Sequence, residues 1–353
     1  MSAYCFPNGN ARWILPILAF LFALFGVSKI AYCADYPVRI QHIYGETEIK
    51  RKPQRVVSIS FIGHDYLLSL GVKPYALRRW YGDYKYGVWP WAQEALGDHA
   101  PIVLWGELNL EKIIALKPDL IEAQWSGITK EQYNVLAKVA PTLPPAKGFG
   151  NFTSPWQVMT RTIAKAMDKE AQAGAVIGSL ENRFATIRAA HPQWSGKTAA
   201  IAWPYKIISY PSKDLRGRFL TDLGFIVSPQ IDRMADNRNF YISVSPEDLS
   251  PIDVDLMVWL DNARTASLLK QHKLLPLLDV HRQGREVVAD LLVASAISHS
   301  SPLSLNYALD HIIPEIEAAM DGDPNTKVPS AVAAGIAPAN GSYNATHTGV
   351  QRQ

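Results

Sequence analysis

The side chains with the most to offer chemically are aromatic and basic. Arg78, Arg79, Trp80, Tyr84 and Tyr86 crowd one loop; Trp105, Trp125, Trp203 and Tyr205 each follow a short apolar run, and Arg238 and Tyr241 close an irregular stretch. Flat rings bury a large area at low entropic cost, and an arginine fork fits paired oxygens, so this set suits a bulky, partly apolar, anionic ligand. It suits binding more than bond-breaking. The chain holds no Gly-x-Ser-x-Gly elbow, no His-Glu-x-x-His and no glycine-rich phosphate loop, so catalysis has no positive signal.

A second pattern is a pair. Asn109-Leu110-Glu111 leads to Asp119-Leu120-Ile121, and Ser245-Pro246-Glu247 leads to Asp255-Leu256-Met257, with the Asp eight residues after the Glu both times. Each copy reads as helix, turn and buried strand, which predicts two lobes of similar architecture with a cleft between them. Both Glu111 and Glu247 then fall in a first helical turn, where an acid complements the helix dipole. Two equivalent acids, one per lobe, also make a pair of knobs for a two-fold partner.

The elements around these residues alternate. The run from Arg55 to Phe61 is a strand, Gly63-His64-Asp65 opens a helix that stops at Gly71, and 101–105 and 120–121 supply further strands. Alternation at this spacing means a parallel sheet with right-handed crossovers, whose ligands sit beyond the strands' carboxyl ends. Ser154, Pro155 and Gln157 predict a capped helix. A longer one follows from Glu170 to Ala190, its buried stripe set by Ala173, Ile177, Leu180, Phe184 and Ile187. At roughly 30 Å it can span the backs of two lobes. The second lobe starts with the strand Lys197 to Trp203 and a reversal at Pro204-Tyr205. The expected architecture is α/β: two parallel-sheet, Rossmann-like lobes joined by one long helix. Its segments are residues 35–168, the connecting helix 169–191, residues 192–321, and a disordered tail over 322–353 that is rich in Ala, Gly, Pro, Asn and Thr.

The opening 34 residues read as a signal peptide: Arg12, then the apolar run Trp13 to Val27, then a more polar region before Asp35. The run is about 15 residues, short of the roughly 20 a membrane helix needs. Cleavage is expected near Ala34, with lipid attachment at Cys33 as the alternative. The two cysteines, Cys5 and Cys33, both lie in this region, so neither a disulfide framework nor a thiolate metal cluster serves the rest of the chain. Removing residues 1–34 takes away Arg12 and Lys29 and no acid, leaving 33 bases against 32 acids. A near-neutral exported protein has no footprint for nucleic acid.

Pro53-Gln54-Arg55-Val56-Val57, Leu70-Gly71-Val72-Lys73-Pro74, Asn109-Leu110-Glu111 and Leu116-Lys117-Pro118-Asp119-Leu120-Ile121 resemble the substrate-binding proteins of bacterial iron-siderophore, haem and cobalamin ABC importers. Leu223-Gly224-Phe225 and Val244-Ser245-Pro246-Glu247-Asp248-Leu249 fit more loosely. The resemblance implies a helical spine, a shallow cleft, and one glutamate per lobe, here Glu111 and Glu247, docking on arginines of a dimeric inner-membrane permease. Trp105 stands where some hydroxamate-siderophore relatives carry an arginine. The expected protein is a periplasmic monomer without intrinsic cofactor. It takes a ferric siderophore passed on from an outer-membrane receptor system and holds it with Arg78, Arg79, Trp80, Tyr84, Trp105, Trp125, Trp203, Tyr205, Arg238 and Tyr241. Three alternatives stay open: a haem or cobalamin carrier of the same class, with His64, His299, Tyr205 or Tyr241 as an axial haem ligand; a bare zinc or manganese carrier; and an exported α/β enzyme.

Overall fold

The computed structural model describes residues 36–235, 240–260 and 265–338. The segment expected to be a signal peptide, Arg238 and residues 339–353 lie outside the described residues. Among those described, no helix is long and apolar enough to cross a membrane.

A hairpin of β1 (Val38–His42) and β2 (Gly45–Ile49) precedes the first sheet. That sheet holds β3 (Val56–Ser58), β4 (Ala76–Arg78), β5 (Ile102–Leu104), β6 (Leu120–Glu122) and β7 (Thr142–Leu143) in the order β5-β4-β3-β6-β7, every pair parallel. The crossover helices are α1 (Gly63–Ser69), α2 (Pro90–Leu96), α3 (Leu110–Ala115) and α4 (Lys130–Leu136). They cover both faces, which is why β3, β4 and β6 are buried at every position.

Two helices then run back to back, α5 (Trp156–Met167) and α6 (Glu170–Ala190). The stripe expected on α6 is the face it buries, at Ala173, Ile177, Leu180 and Phe184. The capping box expected at Ser154 does not form: α5 starts after Pro155, and the Ser154 hydroxyl is buried without a protein partner.

The second sheet contains β8 (Thr198–Trp203), β9 (Ile208–Ser209), β10 (Ile226–Val227), β11 (Ile242–Ser243), β12 (Leu256–Leu260) and β13 (Glu286–Ala289). Its order is β11-β9-β8-β12-β13, with β10 also on β8. Strands β8, β10, β12 and β13 are parallel, while the reversal at Pro204-Tyr205 lays β9 antiparallel to β8. Its helices are α7 (Leu215–Asp222), α8 (Pro229–Met234), α9 (Thr265–Gln271), α10 (Asp279–Arg282), α11 (Leu291–His299), α12 (Pro302–Ala319) and α13 (Pro329–Ala333). Helix α12 packs on α1 and α2 as well as on α6, α11 and β13, so a second rod joins the lobes beside α6.

The two acids of the repeated pattern do the same work. Asp119 accepts the backbone N–H groups of Gln54 (2.8 Å) and Arg55 (2.7 Å), anchoring the entry to β3. Asp255 accepts the N–H and the hydroxyl of Thr198, both at 2.9 Å, anchoring the start of β8. The two glutamates differ. Glu111 stands in the first turn of α3, whose Asn109 cap accepts from Lys112 N at 2.9 Å. Glu247 lies on an exposed turn, with its N–H on Ser245 Oγ at 3.2 Å, and only a short 3-10 turn follows at Ser250–Ile252. Its expected place in a helix is corrected, because a helix begun at Pro246 would carry Pro251 in its interior, where a proline removes a donor and clashes with the preceding turn.

The tail expected from residue 322 is also corrected over 322–338. Val328, Ala331 and Ile336 are buried, Val288 N donates to Ser330 Oγ at 3.1 Å, and Ser330 N donates to Glu315 Oε2 at 2.9 Å. Helix α13 thereby covers the outer edge of β13, a location where an open strand would invite pairing with other chains.

Candidate functional site

The carboxyl ends of β3, β4 and β6 face the second lobe, and each delivers an aromatic ring. After β3, Ser60 Oγ accepts the N–H groups of Ile62 (3.3 Å) and Gly63 (3.0 Å), forming the turn that presents Phe61. After β4 comes Trp80, whose ring centre lies 5.8 Å from Phe61 and 5.2 Å from Trp125 beyond β6. Trp125 is 2% exposed, but its neighbours belong to both lobes: Phe152 at 4.7 Å and Phe240 at 6.4 Å. Phe152 and Phe240 meet at 5.0 Å. One aromatic seam therefore crosses from the first sheet to the second, and Tyr81 OH adds a polar stitch to Ser295 Oγ on α11 at 3.0 Å.

Beneath Trp125 lies a carboxylate. Glu122, fully buried at the end of β6, accepts from Ser58 Oγ at 2.6 Å and from Gln124 N at 2.9 Å, which holds the loop carrying the ring. Burial pushes its carboxyl up to about 7. Gly63 packs against it so closely that no side chain fits between them.

Cations border the seam. The Arg78 guanidinium lies 4.0 Å over the Phe61 ring and donates to Gly106 O at 3.2 Å, and burial lowers its pKa. Arg79 lies over the Trp105 ring at 4.4 Å and pairs with Asp83 at 3.1 Å. In the second lobe Arg216 is buried against the Tyr210 ring at 3.8 Å and Phe240 at 5.7 Å. Its Nε stands 3.0 Å from Asp214 Oδ1, and Nη2 donates to Asp214 Oδ2 at 3.2 Å. A concavity of about 740 Å³ opens between loop 148–153 of the first lobe and the second lobe's Lys213, Asp214, Arg218 and Phe240. Phe152 and Phe240 line it, so it continues the seam.

The residues singled out in the sequence separate into groups. Arg78, Trp80 and Trp125 meet in the seam. Arg79 and Trp105 form a lip, with Trp105 63% exposed. Tyr205, 56% exposed with Lys206 over its ring, and the half-buried Trp203 stand at the end of β8, while Tyr241 packs on Phe240. Tyr84 packs instead on Trp89 at 4.7 Å, within its own loop. His64 and His299 are fully buried, and His299 is wedged among Trp80, Tyr81, Trp89 and Trp91, which leaves no approach for a porphyrin face. Among the described residues no group of three or more His, Cys, Asp or Glu side chains is placed to hold a metal ion. Sequence reading missed Phe61, Tyr81, Phe152, Arg216, Phe240 and Ser295. Phe240 adjoins Tyr241 and Phe61 ends a predicted strand, so both carried a signal; nothing in the sequence around Arg216 carries one.

Comparison with known proteins places this arrangement. A family model described as periplasmic binding protein matches residues 56–278, well over half of the chain. The probable siderophore-binding lipoprotein YfiY of Bacillus subtilis is 27% identical over 243 residues, 64% of this chain and 70% of that protein. The Fe(3+)-citrate-binding protein YfmC of the same organism is 27% identical over 215 residues, 60% of this chain and 65% of that one. Among solved structures, PiaA of Streptococcus pneumoniae in complex with ferrichrome superposes with a TM-score of 0.70 at 26% identity, covering 81% of this chain and 99% of that chain. With the fold, the two facing sheets and the family match in agreement, the chain belongs to the periplasmic binding protein family.

Proposed function

We propose that the chain is the substrate-binding component of an ABC importer, which captures a ferric siderophore outside the inner membrane and hands it to a dimeric permease. The observation that carries this reading is the aromatic seam bordered by Arg78, Arg79 and Arg216, with Lys213 and Arg218 in the adjoining concavity. Stacking surface beside fixed guanidinium groups suits an anionic chelate. Asp214, which lines the concavity, is engaged by Arg216, so its charge is offset there. The names of the relatives, a probable siderophore-binding lipoprotein and a ferric-citrate-binding protein, agree with it, as does the ferrichrome held by PiaA. Glu111 and Glu247, both exposed, are assigned to permease docking. Export with cleavage near Ala34 fits this role; a lipid anchor on Cys33 is the second reading, favoured by the lipoprotein designation of YfiY.

A fluorescence titration tests the ligand. Ferrichrome, ferric citrate, a ferric catecholate, haem and cobalamin are offered in turn, and at least one ferric chelate should quench Trp80 and Trp125; quenching by haem or by free zinc alone would overturn the assignment. Charge reversal at both Glu111 and Glu247 should abolish uptake with chelate affinity intact. A loss of affinity would return those acids to a structural role.

A further inference from the structure

Where α1 meets the joint between α11 and α12, three side chains are wholly buried and incompletely bonded. His64 and Asp65 come from the first lobe, and His299 from the end of α11. His299 Nδ1 lies 2.8 Å from the Ser295 carbonyl oxygen, so that nitrogen carries the proton and Nε2 is an acceptor without a protein partner. Both ring nitrogens of His64 and Asp65 Oδ1 also lack a hydrogen-bond partner in the protein, although His64 Nε2 stands 3.5 Å from that oxygen. Asp65 Oδ2 is fully engaged: Trp91 Nε1 donates at 2.7 Å and Ser301 Oγ, across the joint, at 3.0 Å. Tyr66 OH adds a second bond across the joint, to Ser300 O at 2.8 Å.

We propose that this cluster is a proton-operated latch between the lobes, shut while both imidazoles are neutral and released when they are charged. The groups around it favour the neutral state. From α1 only Asp65 attracts a charged imidazole, and His64 becomes a second cation beside His299; Arg216 of α7 adds positive potential; Ser295 and Ser301 are neutral; Trp80, Tyr81, Trp89 and Trp91 exclude water. Burial lowers the pKa of His64 and pushes His299 down to about 4. The sign follows: a folded-state pKa below 6.5 means the closed joint loses stability as pH falls from 6.5 toward 4. Between pH 7.5 and 5.0, His299 alone, at about 4 closed and 6.5 open, shifts the opening equilibrium about 30-fold. Trp80 touches both His299 (5.4 Å) and Trp125 (5.2 Å), so release reaches the ligand wall.

Amide hydrogen exchange of the full chain tests this without a ligand. After correction for the pH dependence of the exchange chemistry, peptides covering 63–69 and 291–301 should open about 30-fold more at pH 5.0 than at pH 7.5, with α6 unchanged. His299→Gln should remove most of that difference, and His311→Gln, on an exposed residue, should leave it. Equal opening at the two pH values in the wild type overturns the latch, as does an undiminished difference in both His64→Gln and His299→Gln. If neither variant folds, imidazole NMR of the wild type decides: His299 titrating near 6.5 with a closed joint overturns it, and His299 staying neutral until the joint opens supports it.

Discussion

Glu122 offers the sharpest test of how the first lobe holds its part of the aromatic seam. Its carboxyl is raised by burial from 4.5 to about 7. A raised acid favours the folded state fully below pH 4.5 and loses that contribution as pH rises through 7, which here amounts to about 3 kcal/mol by pH 8. Glu122→Gln removes this dependence. The amide can still accept from Gln124 N through Oε1 and donate to Ser58 Oγ, but Ser58 then loses its acceptor, at a cost of about 1 kcal/mol. The variant should be more stable than wild type by about 2 kcal/mol at pH 8 and less stable by about 1 kcal/mol at pH 4.5. Urea unfolding at the two pH values reads the crossing directly, and the histidine contributions cancel because both proteins share them. If Glu122→Gln were destabilised equally at both pH values, the carboxyl would be ionised and well solvated in the fold, and the argument from its burial would fail.

Other expectations follow from single contacts. Asp119→Asn and Asp255→Asn should each lower stability by about 1–3 kcal/mol in urea unfolding, and the double variant should sum them, because each acid anchors a different sheet. Gly63→Ala would place a Cβ 1.6 Å from Glu122 Oε2 and 2.7 Å from Ser58 Oγ; a drop of about 2–4 kcal/mol is expected, and a melting temperature equal to wild type would contradict the close packing. Deleting residues 322–353 uncovers the β13 edge and should increase light scattering on warming; unchanged scattering would mean that α13 does not protect that strand.

How much of this was legible in the chain depended on how local the causes are. The spacing of Ala173, Ile177, Leu180 and Phe184 carries the face of α6 in the sequence itself, and the matching offsets of Asp119 and Asp255 mark two equivalent units, while the strand-anchoring bonds of both acids appear only in the structure. The second copy misled because Glu247 was read by analogy with Glu111, while the feature that decides its backbone is Pro251, four residues on. Helix α13 was invisible for a different reason: five residues are too few for a periodicity, and its burial comes from the β13 edge rather than from its own composition.

The cross-lobe contacts have no local trace at all. Tyr81 finds Ser295 214 residues away, and Asp65 finds Ser301 236 residues away. Nothing near Ser301 in sequence distinguishes it from any other helix-capping serine, a role it also fills by accepting from Ser304 N at 3.0 Å. Arg78 shows what a sequence leaves out. An arginine at a strand end reads as a fork for ligand oxygens, and the chain does not reveal that its Nη2 is held by Gly106 O and its face by Phe61. That arrangement fixes the guanidinium plane and makes Arg78 a positioned support for the Phe61 ring beside it. Arg216, held by Asp214 and lying between Tyr210 and Phe240, is the corresponding support on the opposite wall, and only the approach of the two sheets brings the pair to one seam.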